Sequence, residues 1–328
     1  MKILVTGGMG GIGSELTKKL VREKFDVVVF DLKNKKNENF VKKNHGFITC
    51  WGDLRNFNDV RNSVKDVDLV IHMAFVLQPG SEVDTIYSRS VNVGGTENLI
   101  KAINKENPNI KMIFISSTTI YGITKDETPP INLNHPIEPV VEYSKHKVEC
   151  EKIIKESIKN YVILRFSEVN HFQVNGTDFE YMYRLPYDQR TEFLHVEDAA
   201  LAVVNSVKKF DKISGETFII SGGKQNQVIH YERLKILFGE AYGLNPPPKY
   251  KFTKKAYPFD WYNSDKSQKI LNYQNKSVHD YAMDIKKNLV FNPKMIRFFS
   301  PIIELFLYNK ILSQIYKLIF DYYYEKQK

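Results

Sequence analysis

The sequence predicts an α/β chain built on a doubly wound parallel sheet, with a small discontinuous C-terminal lobe and a C-terminal helical tail. Three observations predict it. Short β-branched runs alternate with polar-faced helical stretches through the first half of the chain, the rhythm of βαβ units. A run such as Val27-Val28-Val29-Phe30 is apolar at successive positions, so that strand must be covered on both faces. A glycine-rich segment, Gly7 to Gly13, follows the first apolar run immediately.

In chain order, strands are expected over Lys2–Thr6, Asp26–Phe30, Gly46–Thr49, Leu69–His72, Met112–Ser116 and Tyr161–Arg165. The helices between them span Ile12–Glu23, Asn56–Lys65, Val91–Asn107 and Val141–Lys159. Beyond Arg165 the rhythm breaks: polar loop residues fill Asn170–Gln189, followed by Phe193-Leu194-His195-Val196, a helix over Glu197–Val207 and an apolar Phe218-Ile219-Ile220. Asn245-Pro246-Pro247-Pro248 marks a surface loop. These limits divide the chain into a sheet-forming part over 1–165, a lobe over 166–294 whose residues 193–220 return to the first part, and a tail over 295–328. In the tail Ile303, Phe306, Leu307, Ile311, Ile315, Leu318, Ile319 and Tyr322 form one stripe of a long helix. Such a helix packs on the body or a second subunit, or lies at a membrane surface with Lys310 and Lys317 at phosphate level.

Composition bounds the function. The chain has 328 residues, 42% of them apolar and 26% charged, which excludes a collagen, a disulfide scaffold or a disordered chain. Its formal charge of +9 is scattered Lys interleaved with acids, with no basic-aromatic module of a nucleic-acid binder. Clusters such as Lys33-Asn34-Lys35-Lys36 read mostly as solvated faces. Two cysteines, Cys50 and Cys150, lack any CxxC or nearby metal-spaced His, so neither disulfides nor a metal centre is expected. The opening Met1-Lys2-Ile3-Leu4-Val5 is too short for a signal peptide, and no stretch reaches the ~20 apolar residues of a spanning helix. A reducing, cytoplasmic setting is expected, with membrane contact only through the tail.

Phosphate binding needs backbone N–H groups at a helix N-terminus with no Cβ in the way. Gly7, Gly10, Gly11, Ile12 and Gly13 supply this between a strand and a helix. Asp31 ends the second strand, where a carboxylate accepts both hydroxyls of an adenosine ribose and repels a 2′-phosphate. That favours NAD over NADP, although Lys33, Lys35 and Lys36 lie close. Asp53, followed by Leu54, sits where an adenine amino group is met, or else caps the helix from Asn56. Tyr143 and Lys147 leave the same face of a helix one turn apart. A phenol titrates near ~10, and an ammonium beside it moves that value toward neutrality. Ser117 stands at the carboxyl edge of the preceding strand, within reach of the substrate oxygen that Tyr143 deprotonates.

Taken in order, Thr6 to Gly13, Asp31, Asp53, Val70-Ile71-His72-Met73-Ala74, Asn92-Val93-Gly94-Gly95-Thr96, Ser116-Ser117, Tyr143 with Lys147, Leu164-Arg165 and Phe193 to Asp198 resemble an extended short-chain dehydrogenase/reductase of the NAD-dependent epimerase/dehydratase family. The resemblance runs from residue 1 to about 285. It implies a Rossmann domain binding NAD, with Tyr143 as acid/base, Lys147 lowering its pKa and holding the nicotinamide ribose, and Ser117 binding the reacting oxygen. It further implies that Ala74 and Phe75 pass under the cofactor, that Val169 flanks the nicotinamide, and that Asn92 supports the catalytic helix, unless Asn92 is simply an N-cap. His72 reads as a satisfied strand-end histidine. A homodimer through Gly94–Asn107 and Val141–Lys159 is also implied.

The reaction is less legible. Dehydratases resembling this chain carry Asp-Glu after the serine, where Thr118 and Thr119 stand here, so dehydration is disfavoured. A nucleotide-sugar diphosphate would need Arg184, Arg190 or lysines, and Glu168 would repel it. The expected function is NAD-dependent epimerisation or oxidation of a sugar or nucleotide-sugar hydroxyl. The alternatives are a dehydrogenase of a smaller or more apolar carbonyl substrate, or a non-catalytic NAD-binding assembly module.

Overall fold

In the computed structural model, which describes residues 1–169 and 182–289 together with Phe299 and Pro301, seven parallel strands form the centre of the molecule. They are β1 (Lys2–Thr6), β2 (Asp26–Asp31), β3 (Ile48–Trp51), β4 (Leu69–His72), β5 (Lys111–Ser117), β6 (Tyr161–Phe166) and, later in the chain, β9 (Thr217–Ile220). Their order is β3-β2-β1-β4-β5-β6-β9, so the chain winds outward in both directions from the β1/β4 junction. Ligands in such sheets sit at the carboxyl edge of that switch point. Two apolar clusters cover the faces, one around Val5, Leu16 and Val203 and one around Leu4, Leu99 and Phe114.

The crossover helices are α1 (Gly11–Arg22), α2 (Lys35–Lys43), α3 (Phe57–Ser63), α6 (Gly95–Glu106) and α7 (Glu142–Ser157), with short α4 (Gly80–Val83) and α5 (Thr85–Arg89) ahead of α6. Three local expectations are corrected. Helix α2 lies in a stretch read as solvated lysines; Asn34 caps it, accepting from the Asn37 amide. Strand β3 starts two residues later than expected, because Gly46 takes φ of +90° and turns the chain. Asn92 is no N-cap: it lies inside a wide π turn, Ser90–Gly94, that runs from α5 into α6.

After β6 a small second sheet forms from β7 (Glu168–Val169), β8 (Arg190–Leu194) and β10 (Gln227–Ile229), in the order β10-β8-β7. The chain then returns to the main body through α8 (Val196–Lys208), which packs on α1, and through β9 beside β6. Helices α9 (His230–Ile236), α10 (Asp265–Leu271) and α11 (Val278–Lys287) complete the lobe. The apolar stripe expected from Ile303 to Tyr322 lies outside the described residues. Among those described, no helix is long and apolar enough to cross a membrane, and no three His, Cys, Asp or Glu side chains group to hold a metal.

Candidate active site

A cavity of about 510 Å³ opens along the carboxyl ends of β1, β2, β4, β5 and β6. Its floor begins at the glycine loop. Gly7 has φ of +71°, and a Cβ there would lie 2.8 Å from the Ala74 Cα; a Cβ on Gly13 would lie 2.1 Å from the Gly7 carbonyl oxygen. Only glycine lets these backbones touch. Helix α1 has no side-chain cap at Gly10, so its first-turn amides face the cavity without an acceptor from the helix. This is a cradle that fits a dinucleotide pyrophosphate.

At the end of β2, Asp31 lines the same cavity. Its Oδ2 accepts from the Met9 amide at 3.0 Å, and its Oδ1 accepts from the Leu32 amide at 2.9 Å and from Asn37 Nδ2 at 3.1 Å. Burial pushes its carboxyl above the usual range, against those three donors and the nearby Lys36. Asp53 and Leu54 also line the cavity. Asp53 is not the helix cap; Asn56 is, accepting from the Asn58 amide. Asp53 instead takes Arg55 Nη2 at 2.6 Å, which holds its carboxyl below the usual range.

Helix α7 brings Tyr143 and Lys147 to the opposite wall, beside Ser117 at the end of β5. Lys147 is buried; its Nζ donates to the Ile115 carbonyl at 2.6 Å and lies 3.4 Å from the Phe75 ring centroid and 5.6 Å from that of Tyr143. Among the described residues no carboxylate approaches it within ion-pair distance. Burial lowers its pKa to about 7, with Cys150 and Glu151 pulling the other way. The Phe75 ring also meets Tyr143 edge-on at 5.8 Å. Ser117 Oγ accepts from Thr119 Oγ1 at 2.9 Å, and Thr119 in turn accepts from Ser144 Oγ at 2.8 Å. His72, beneath the site, spans Thr6 and Thr96 through its two ring nitrogens. Burial and the neighbouring Lys147 push it down to about 3, so it is neutral at pH 7.

Five expected site residues do not line the cavity. Asn92 is fully buried behind it, where its Oδ1 accepts from the Val76 amide at 2.6 Å and its Nδ2 donates to the Val76 carbonyl, fixing the loop after β4. Glu168 faces away and is neutralised by Arg233, Nη1 to Oε2 at 2.5 Å, which removes the expected repulsion of a diphosphate. Arg190 is not free for a substrate: its Nε donates to buried Asp260 at 2.5 Å and its Nη2 to the Thr124 carbonyl. Arg184 is exposed, and Thr118 is buried. The sequence reading missed Asn37, which braces Asp31, and Ser167, whose buried Oγ has no partner at the cavity wall. The Asn34-x-x-Asn37 spacing was the available signal for the first; nothing local marked the second.

A profile of the NAD dependent epimerase/dehydratase family matches residues 3–221, and the chain belongs to that family. Its cofactor is therefore NAD, and the cradle and Asp31 fit it. A putative UDP-glucose 4-epimerase of Methanocaldococcus jannaschii is 34% identical over 174 residues, 51% of this chain and 55% of that protein. The CDP-paratose 2-epimerase of Salmonella typhi is 33% identical over 129 residues, 37% of this chain and 38% of that protein. The chain thus spans about half the length or less of these curated relatives. Among solved structures, a UDP-glucose-4-epimerase from Stenotrophomonas maltophila, with bound NAD and formylated UDP-arabinopyranose, superposes with a TM-score of 0.75 at 18% identity over 88% of this chain and 97% of that one. That likeness is one of fold.

Proposed function

We propose that the protein inverts a hydroxyl-bearing carbon of a sugar or nucleotide-sugar. It oxidises the secondary hydroxyl to a ketone and then reduces that ketone from its other face, so that the hydride and proton taken up are given back and no net redox change remains. The observation that carries this reading is one cavity wall: Tyr143, Lys147 and Ser117 face the glycine cradle and Asp31 across a single space. NAD held by that cradle supplies the hydride acceptor. Tyr143 accepts the hydroxyl proton, and Ser117 orients the same oxygen by a hydrogen bond. The Lys147 ammonium favours the phenolate electrostatically, at a position where low dielectric strengthens its effect. Thr118 and Thr119 offer no acid or base for a subsequent elimination, which speaks against dehydration. The 4-epimerase and 2-epimerase names of the relatives support the sugar class.

A second reading, a dehydrogenase of a smaller carbonyl substrate, is favoured by one feature. Among the described residues the cavity's cations are Lys36 and Lys147, while Arg190 and Arg233 are held by Asp260 and Glu168. The test is to denature the purified protein, identify released small molecules by mass spectrometry, and incubate the native protein with UDP-galactose and NAD. Retained NAD and formation of UDP-glucose without accumulating NADH are expected. NADH accumulating in step with product would move the assignment to the dehydrogenase, and a protein that binds no dinucleotide would overturn both readings.

A further inference from the structure

The helix that carries Tyr143 lacks its own cap: Val141 at its N-cap position offers no side-chain acceptor. Such a terminus leaves backbone N–H groups that need partners. Here the partner comes from 60 residues earlier in the chain. Glu82, on α4, accepts from the Glu142 amide through Oε2 at 3.0 Å and from the Tyr143 amide itself through Oε1 at 3.1 Å. We infer that Glu82 is the positioning residue for Tyr143, clamping the first turn of α7 so that the phenol is fixed against Ser117 and Lys147. This rests on the reading of Tyr143 as proton acceptor.

Three further contacts support the clamp. Ser81 Oγ donates to Glu82 Oε1 at 3.0 Å, and Gln78 Nε2 approaches the same oxygen at 3.4 Å. Gln78 Oε1 in turn accepts from the Tyr257 hydroxyl, so the segment bearing Glu82 is tied to the C-terminal lobe. A negative charge at a helix N-terminus is also favoured by the aligned peptide dipoles. Burial opposes ionisation of Glu82, yet the Glu142 and Tyr143 amides hold its carboxyl below the usual range, so it is charged at neutral pH. The tyrosine ring itself meets Phe75 edge-on at 5.8 Å. Glu82 therefore fixes the backbone and Phe75 the ring.

The clamp is tested in the full-length protein with Glu82→Ala and Glu82→Gln. By amide hydrogen exchange, Glu82→Ala should speed exchange at Glu142 and Tyr143 by about tenfold or more while the later turns of α7 keep their protection. The Tyr143 ring resonance, identified by its loss in Tyr143→Phe, should move. A glutamine has one carbonyl acceptor, so Glu82→Gln should leave one of the two amides protected and restore most of the ring position. It also carries the test if the alanine variant does not fold. With UDP-galactose as probe, kcat should fall about tenfold in Glu82→Ala with NAD affinity unchanged. Unchanged exchange and ring resonance in a folded variant would overturn the clamp, as would uniform loss of protection along all of α7. Tyr143→Phe that still turns over UDP-galactose would instead overturn the underlying reading, leaving the exchange result to stand by itself.

Discussion

The cofactor cavity and the lobe treat their buried cations in opposite ways, although the lobe also buries a carboxylate, Glu192, that has no ion-pair partner among the described residues. Its donors are the Gly223 and Tyr262 amides and Gln227. At the carboxyl edge of the main sheet, Lys147 is buried with one carbonyl and three aromatic rings around its ammonium, and Asp31 is held by amides and Asn37 with no ion-pair partner among the described residues. In the lobe each inward arginine is matched to a carboxylate: Arg190 to Asp260, and Arg233 to Glu168. Paired charges hold a structure in register, whereas unpaired ones are kept available to something that arrives. The difference teaches where to look for chemistry: among charges the fold leaves unneutralised, rather than among the most numerous ones.

That contrast predicts opposite outcomes for removing a cation from each region. Arg190→Ala leaves the Asp260 carboxylate, fully buried, without its guanidinium. Stability should fall by about 3 kcal/mol, the low end for breaking a buried pair because Arg190 is itself partly exposed. Chemical denaturation would measure it, and NAD affinity of the folded fraction should be unchanged. Lys147→Met should do the reverse. The folded-state pKa is about 7, against ~10.4 in the unfolded chain. Between those values the unfolded chain binds a proton that the fold does not, so wild-type stability rises with pH across that window. The methionine variant, free of that desolvation, should be more stable at pH 7 by up to about 4 kcal/mol, with an advantage that shrinks as pH rises toward ~10. Equal destabilisation by both substitutions would break the comparison.

The same contrast explains what could be read before the fold was known. The glycine loop, Asp31, Ser117 and the Tyr143/Lys147 pair are each set by local spacing on a strand end or one helix face, so the sequence displays them. The strands of the main sheet were legible because burial on both faces forces apolar runs. Helix α2 was not: apart from Phe40 and Val41 it is polar, so it carries no apolar period, and only Asn34 and Asn37 mark it. The lobe's pairings were invisible for a different reason. Arg190 meets Asp260 across 70 positions and Glu168 meets Arg233 across 65, and no local pattern encodes either meeting. Hence Arg190 and Glu168 read as substrate residues when their charges are already used.

Asp31 gives the finest test, because it is an unpaired charge whose role depends on what the cavity receives. Its carboxyl already accepts from Met9, Leu32 and Asn37, yet burial keeps it poorly solvated. A ribose hydroxyl would donate to the one lone-pair site left over, on Oδ2, whereas a 2′-phosphate would place like charge beside it. Asp31→Ala should therefore weaken NAD about tenfold, the loss of roughly one charge-assisted hydrogen bond, and leave NADP nearly unaffected. Calorimetric titration of both dinucleotides against both proteins would show it. An equal loss for NAD and NADP would mean that Asp31 acts by bracing Met9 and the glycine loop rather than by reading the ribose. In that case Asn37→Ala, which removes a donor to Asp31 while leaving its carboxylate in place, should reproduce the loss.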